Sequence, residues 1–487
     1  MSQKTHNARQ RNQQRSRRAF LVASASGFAG LQFGVPQRLA ADAPVTAPQL
    51  NANSLATGGK AKSVILFFLC GGASHVDTWD MKPDAPAEYR GPFSPIATSA
   101  PQIRLCEHLP MLSRQAHHLA VVNSIGASVS TNDHHAGYYY NLTGHEPDST
   151  FLSLGNDRRP YADDWPYIGS VVGARRDGNS SLPNSLTLPH QPSKAPYTRP
   201  GQFAARLGVE FDPLYVHASV DDPLKFHAPS LVLSGDVTPD QLRSRQQLLK
   251  TLDVARANFE NVPAERTWKL HQQRALDLML SSNATKVFDV ASETDATRQR
   301  YGASVNAASL LMARRLVEAE VPFITVFWKE NEAIKKQCKS AGGWDTHGDN
   351  FNCLKDHLLP EFDRAFSALL EDLEQRNLLE QTLVLVTSEM GRTPKIGDPR
   401  SGGVGGAGRD HWTHCMSVLM AGGGIRGGQT YGTSDRLGEY PAERPLTPAD
   451  IAKTVYFASG VDDLRAEDGQ GRPYNLLEEG NALTTLF

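Results

Sequence analysis

The run SVILFFLCGGASHVDTWD, Ser63–Asp80, carries the sharpest structural signal in the chain. A strand with one wet face alternates apolar and polar side chains. Val64–Leu69 does not alternate, so the pattern is that of a parallel strand covered on both faces. The apolar run stops at Gly71–Gly72, a turn, and the character of the chain then changes: Ser74, His75, Asp77 and Asp80 follow within eight residues. In open α/β sheets, ligands bind at the carboxyl ends of the strands. This one stretch therefore predicts a central strand and puts ionisable groups where such a sheet keeps its site.

The same pattern recurs on either side. HHLAVVNSI (His117–Ile125) contains a shorter strand, and HHAGYYYNLTG (His134–Gly144) reads as a helix stopped by Gly144. SVNAASLLMARRLVEAE is a helical pattern running directly into VPFITVFW (Val321–Trp328), a strand. Leu358, Phe362, Phe366, Leu369, Leu370 and Leu373 stand at helical spacing. QTLVLVTSE (Gln381–Glu389) and CMSVLMAGGG are two more strands. Alternating helices and apolar strands predict an α/β fold, a doubly wound, mostly parallel sheet with helices on both faces, over residues 61–487. Between them, about 146–239 is rich in Pro, Ser and Asp and is expected to be a loop-rich excursion from the core, followed by a helical pattern at ERTWKLHQQRALDLMLSS (Glu265–Ser282). No repeat of solenoid period is found.

The 487 residues are 40% hydrophobic and 21% charged, with a formal net charge of −2, which argues against a broad nucleic-acid-binding face. Five cysteines do not make a disulfide scaffold in so long a chain. Cys338 and Cys353 flank the GGWDTHGDN loop and are expected to pair after export; Cys70, Cys106 and Cys415 are expected to stay buried thiols. At the N-terminus, Arg17–Arg18 in SRRAFL heads a short, weakly apolar segment interrupted by Gly27 and Gly30, and LAADA (Leu39–Ala43) offers small residues suited to cleavage. The order basic, apolar, small is that of a twin-arginine signal peptide over 1–43, with a linker over 44–60. The expected location is periplasmic or secreted, without a stable membrane span.

Four further segments bring ionisable groups to strand or helix ends. They are Asp133–His134 before the YYYNLTG helix, Asp345 and His347 in GGWDTHGDN, Glu389 beside Arg392, and Arg409, Asp410 and His411 before the last strand. Each has a structural reading as well as a chemical one. His75, Asp77 and Asp133 suit helix caps. Glu389 suits an ion pair with Arg392, the Asp345–His347 loop a solvated turn, and GRDHWTHC a loop anchored by its Trp. The chemical reading is a metal site, which needs about four nitrogen and oxygen ligands for zinc and six to eight for two metals. His75, Asp77, Asp345, His347, Glu389, Asp410 and His411 are the candidate ligands. His134, Asp133 and Arg409 are the candidate catalytic groups, with Arg409 neutralising an anionic substrate.

GGASHVDTWDMKP, YYYNLTGHEP, GGWDTHGDNF, SEMGRTP, GRDHW and AGGGIRGGQTYGTSD, in this order, resemble the signature of secreted bacterial proteins grouped as domain of unknown function 1501. That family is similar to the alkaline phosphatase and sulfatase superfamily. The resemblance implies a metal-dependent hydrolase of phosphate, sulfate or related esters, acting on an anionic ester such as a polysaccharide or its fragments. The implied metal is zinc, with calcium or manganese as alternatives. It also implies that His134 stands at the nucleophile's place, Asp345 and His347 at the middle ligands, Glu389–Met390 at an Asp-His pair, and His411 at the last histidine ligand. The chain departs from the superfamily at Met390, at Cys70–Gly71 where a carboxylate is usual, and in lacking Ser or Thr at the nucleophile's place. Those departures leave a second reading open: a non-catalytic protein that keeps the fold to bind a surface polymer or partner.

Overall fold

The structure is a computed structural model describing residues 59–126, 131–176, 178, 182–193, 197–228, 244, 286–338, 343–397, 408–467 and 471–487. The expected signal peptide, nearly all of the linker and the Glu265–Ser282 pattern lie outside the described residues. Among those described, no helix is long and apolar enough to cross a membrane.

Eight strands form the main sheet: β1 Ser63–Phe68, β2 Leu119–Ile125, β3 Ser185–Leu188, β4 Leu214–Tyr215, β5 Phe323–Phe327, β6 Thr382–Thr387, β7 Met416–Ala421 and β8 Gln429–Tyr431. Their lateral order is β8-β2-β7-β6-β1-β5-β3-β4. β1 pairs in parallel with β5 and β6, β3 with β5 and β4, and β8 with β2. The sheet is thus mostly parallel, as the unbroken apolar strands predict. β7 is the exception, antiparallel to both β2 and β6.

Helices cover both faces, and β1 shows why its sequence has no polar alternation. Successive strand side chains point to opposite faces. Phe67 stacks on Phe362 with ring centroids 5.8 Å apart, while Phe68 meets Tyr138 at 4.8 Å. Those partners belong to α4 (Leu359–Gln375) on one side and α1 (His134–Thr143) on the other. α2 is Ile168–Arg175; α3 (Val305–Glu318) packs on α4, and α5 (Pro448–Ala458) beside α1. The apolar stripe of α4 is fully buried. Each such leucine or phenylalanine contributes about 1.5–3 kcal/mol relative to exposure.

The described part of the 146–239 segment is not wholly outside the core. It supplies α2, strand β3 and the edge strand β4, and Tyr167, Val171, Leu186 and Leu188 are buried. These strands are two and four residues long, too short to show a period in the sequence.

Cys70, Cys106 and Cys415 are free and buried, as expected. Cys353 is disulfide-bonded, and the Cys338 side chain lies outside the described residues.

Candidate metal centre

β5 and β6 end at the same rim of the sheet and deliver Asp345, His347 and Glu389 there. β2 leads through the loop ahead of α1 to His134. His411 comes from before β7, and it reaches this rim because β7 runs the other way: its amino end lies beside the carboxyl ends of its neighbours. A two-residue antiparallel ribbon then fixes the approach, pairing His411 with Arg392 and Trp412 with Gly391. The turn after β1 closes the site from below. Gly71 has φ +116°, and a Cβ there would lie 2.2 Å from the Asp345 backbone nitrogen, so only glycine permits this crossing.

Three imidazoles converge on Asp345, each held by the far side of its ring. His134 Nδ1 is 2.8 Å from Glu389 Oε1, His411 Nδ1 is 2.9 Å from the Asn132 carbonyl, and His347 Nδ1 is 3.0 Å from Asp410 Oδ1. All three partners are acceptors, as is Asp345 on the other side of each ring; a neutral ring that keeps its proton on Nδ1 turns an Nε2 lone pair inward, the form that ligates a metal. His347 and His411 Nε2 lie 2.8 and 3.2 Å from Asp345 Oδ1, and His134 Nε2 lies 3.5 Å from Oδ2. Arg392, fully buried, also reaches Asp345.

The electrostatics follow from this crowding. Burial alone would raise the Asp345 carboxyl, but its bonds to His134, His347 and His411, with the Arg392 charge, hold it well below the usual carboxylate range. Hydrogen bonds to Asp345 and Asp410 push His347 up to about 9. Burial works against a charged His134, yet Asp345 and Glu389 raise it. Burial dominates at His411, which is lowered and stays neutral.

This donor set fits a metal. The ligand atoms of His134, Asp345 and His411 lie within 4.8 Å of one another, as do those of His347, Asp410 and His411. Donors sharing one zinc, with bonds near 2.0–2.2 Å and tetrahedral angles, stand about 3.3 Å apart. The Asp345–His134 and Asp345–His411 separations bracket that distance.

Other expected site residues are elsewhere. Glu389 lies at the rim but faces away from Asp345. Its carboxylate, fully buried, takes His134, the Gly71 N–H (2.8 Å) and Ser388 Oγ (3.0 Å), so it orients His134 and does not pair with Arg392. Asp133 is the α1 N-cap, accepting from the His135 and Ala136 N–H groups at 2.8 and 3.3 Å. Asp77 and Arg409 are both fully buried and joined to each other, Nε to Oδ2 2.7 Å and Nη2 to Oδ1 2.9 Å. Asp77 also accepts from Ser74 and Asn350, and Arg409 donates to the carbonyls of Thr393, Pro394 and Tyr89. All five Arg409 N–H groups are thus taken, so Arg409 does not face a substrate, and Asp77, buried in this pair, does not join the cluster. His75 is fully buried, donates from Nε2 to the Gly438 carbonyl (2.8 Å), and is held low by burial.

Arg199 is a neighbour that sequence reasoning does not single out. Its guanidinium lies over the Tyr138 ring, 4.6 Å from the centroid, one helical turn beyond His134. Its charge acts on His134, Glu389 and Glu330. Among the described residues its buried Nη1 has no hydrogen-bond partner. In the sequence it sits in SKAPYTRPG, a loop with no spacing to mark it.

Fold and site together describe an α/β protein with a histidine–carboxylate cluster at the carboxyl rim of its sheet. The chain matches, over residues 61–487, the family described as "Protein of unknown function (DUF1501)", and it belongs to that family. No curated protein matches it. Solved structures similar to it include the phosphonate monoester hydrolase SpPMH from Silicibacter pomeroyi, 11% identical, covering 87% of this chain and 76% of that one, with a TM-score of 0.39. Two others are the PsFucS1 sulfatase from Pseudoalteromonas sp. (13% identity, 82% and 68% coverage, TM-score 0.38) and the alkaline phosphatase of the Antarctic bacterium TAB5 (12%, 83% and 100%, 0.36).

Proposed function

We propose that the protein is an exported, metal-dependent hydrolase of phosphate, sulfate or related esters. The observation that carries this reading is the convergence of three Nδ1-anchored imidazoles on one carboxylate. His134, Asp345, His347 and His411 hold the metal; three nitrogen donors favour zinc over calcium, which takes oxygen ligands, and leave manganese as the alternative. A divalent metal there supplies Lewis acidity, polarising the ester and stabilising charge that develops on its oxygens. Glu389 and Asp410 fix the ligand rings, the kind of support that tunes metal sites. Arg199, with an unpaired donor beside the cluster, receives an anionic oxygen of the substrate, the role first expected of Arg409. His134 is a ligand and not a nucleophile on this reading, since both its ring nitrogens are engaged.

One observation favours the non-catalytic reading. Among the described residues no serine or threonine hydroxyl is hydrogen-bonded to His134, Asp345, His347 or His411. The test separates the two. Wild type and the His411→Ala, Asp345→Asn and His347→Ala variants are purified without chelators, checked for folding by circular dichroism, and assayed for bound metal. A wild type that stays metal-free after loading overturns the hydrolase reading. Metal lost in the variants, with turnover in a panel of aryl phosphates, phosphodiesters and sulfates, supports it; metal without turnover in that panel favours binding. Export is tested separately: with Arg17 and Arg18 both changed to Lys, the protein should stay in the cytoplasmic fraction.

A further inference from the structure

We propose that His117, His118 and Glu374 form a second divalent-metal site, at the opposite rim of the sheet and independent of the first. His117 and His118 immediately precede β2, Glu374 lies in the last turn of α4, and Gly422–Gly427 follow β7. These are the ends of the strands away from Asp345, so roughly 20 Å of six-residue strand separates the two clusters.

Three observations point to a cation. The ligand atoms of His117, His118 and Glu374 lie within 4.8 Å of one another. They line an open cleft of about 460 Å³, together with Lys60, Gly424 and Gly427. Third, His118 Nε2 is paired with Glu374 Oε2 at 3.3 Å, the separation of two donors on one zinc. Ser99 steadies His117, its Oγ lying 3.0 Å from Nδ1 and accepting from the His117 backbone N–H at 3.0 Å. The nearby Lys60 ammonium is paired with Glu380 at 2.9 Å and does not oppose a cation.

Two imidazoles and a carboxylate suit zinc or a similar borderline ion, with water completing the shell. Such an ion would clamp the end of α4 to the start of β2.

The experiment is zinc loading of the full chain, removal of excess, and measurement of zinc per protein and of affinity by chelator competition. Expected is one equivalent that survives in His411→Ala but falls at least tenfold in affinity in both His118→Gln and Glu374→Gln, with a zinc-dependent rise in Tm lost in both. Glu374 is half exposed, so its variant tests the site without risk to the core. Zinc content and affinity unchanged in both variants, or wild-type binding here only at millimolar zinc, overturns the proposal. Neither result depends on the first cluster, whose own equivalent is removed by His411→Ala.

Discussion

Glu389 shows how a residue's chemistry depends on which atom it faces. It follows the end of β6, where a metal ligand is expected, but its oxygens hold the His134 ring, the Gly71 N–H and the Ser388 hydroxyl. Glu389→Gln keeps the size and one acceptor oxygen while removing the charge that fixes the His134 tautomer. The expected outcome is a metal affinity about 10–100-fold lower, with the fold retained; competition with a chromogenic chelator measures it, and unchanged affinity would count against the orienting role. Asp345, His347 and His411 were legible in the sequence because they stand among glycines and polar residues, where no core needs them. Asp77 and Arg409 looked equally promising and are a buried pair. A sequence displays each charge but not that two charges 332 positions apart cancel. Arg199 was illegible for the opposite reason: its significance is a missing partner.

Among the elements, α1 carries the most of the site and shows its constraints in two residues. Asp133 caps it, so Asp133→Ala should cost about 1 kcal/mol of stability and leave metal content unchanged. Thermal melts and metal analysis of one preparation decide between cap and catalytic group; lost metal with an unaltered Tm would revive the latter. Gly137 lies mid-helix, where alanine ordinarily stabilises by about 1 kcal/mol. Here a Cβ would stand 2.6 Å from the Glu389 carbonyl oxygen. Gly137→Ala should therefore destabilise by about 1–3 kcal/mol through overpacking and lower metal content, as α1 moves His134 away from Glu389. A stabilised variant would show that α1 has room to shift. The helix itself was readable from its pattern and its Gly144 stop. The direction of β7 was not, since an apolar run buried on both faces looks the same either way, and that direction is what brings His411 to the rim.

Across the whole molecule, the layered α/β plan was legible because β1, β5 and β6 are unbroken apolar runs, while the contribution of residues 146–239 was hidden in strands too short to show a period. What ties that middle segment to the rest is His145, directly after α1. Its ring stacks on Trp165 at 4.0 Å with planes 3° apart, and its Nε2–H donates to the Leu476 carbonyl at 2.7 Å. One side chain thus joins α1, the middle segment and the C-terminal region. Burial, only partly offset by the Leu476 bond and Glu479, lowers its imidazole to about 4. The folded chain therefore keeps His145 neutral where the unfolded chain, at an ordinary value of about 6.5, takes up a proton. Stability from this group is intact above about pH 6.5 and falls as the pH drops toward 4, by up to roughly 3 kcal/mol. His134 and His347, raised in the metal-free protein, act in the opposite sense and above this window. The comparison is made with chelator present, so that metal release does not enter. Melts of wild type and His145→Gln from pH 7 to 4 should show a steep fall in Tm for the first and a shallower one for the second, whatever the offset between them at pH 7. Parallel curves would mean that the acid sensitivity of the fold lies in other groups and that His145 is only a packing residue.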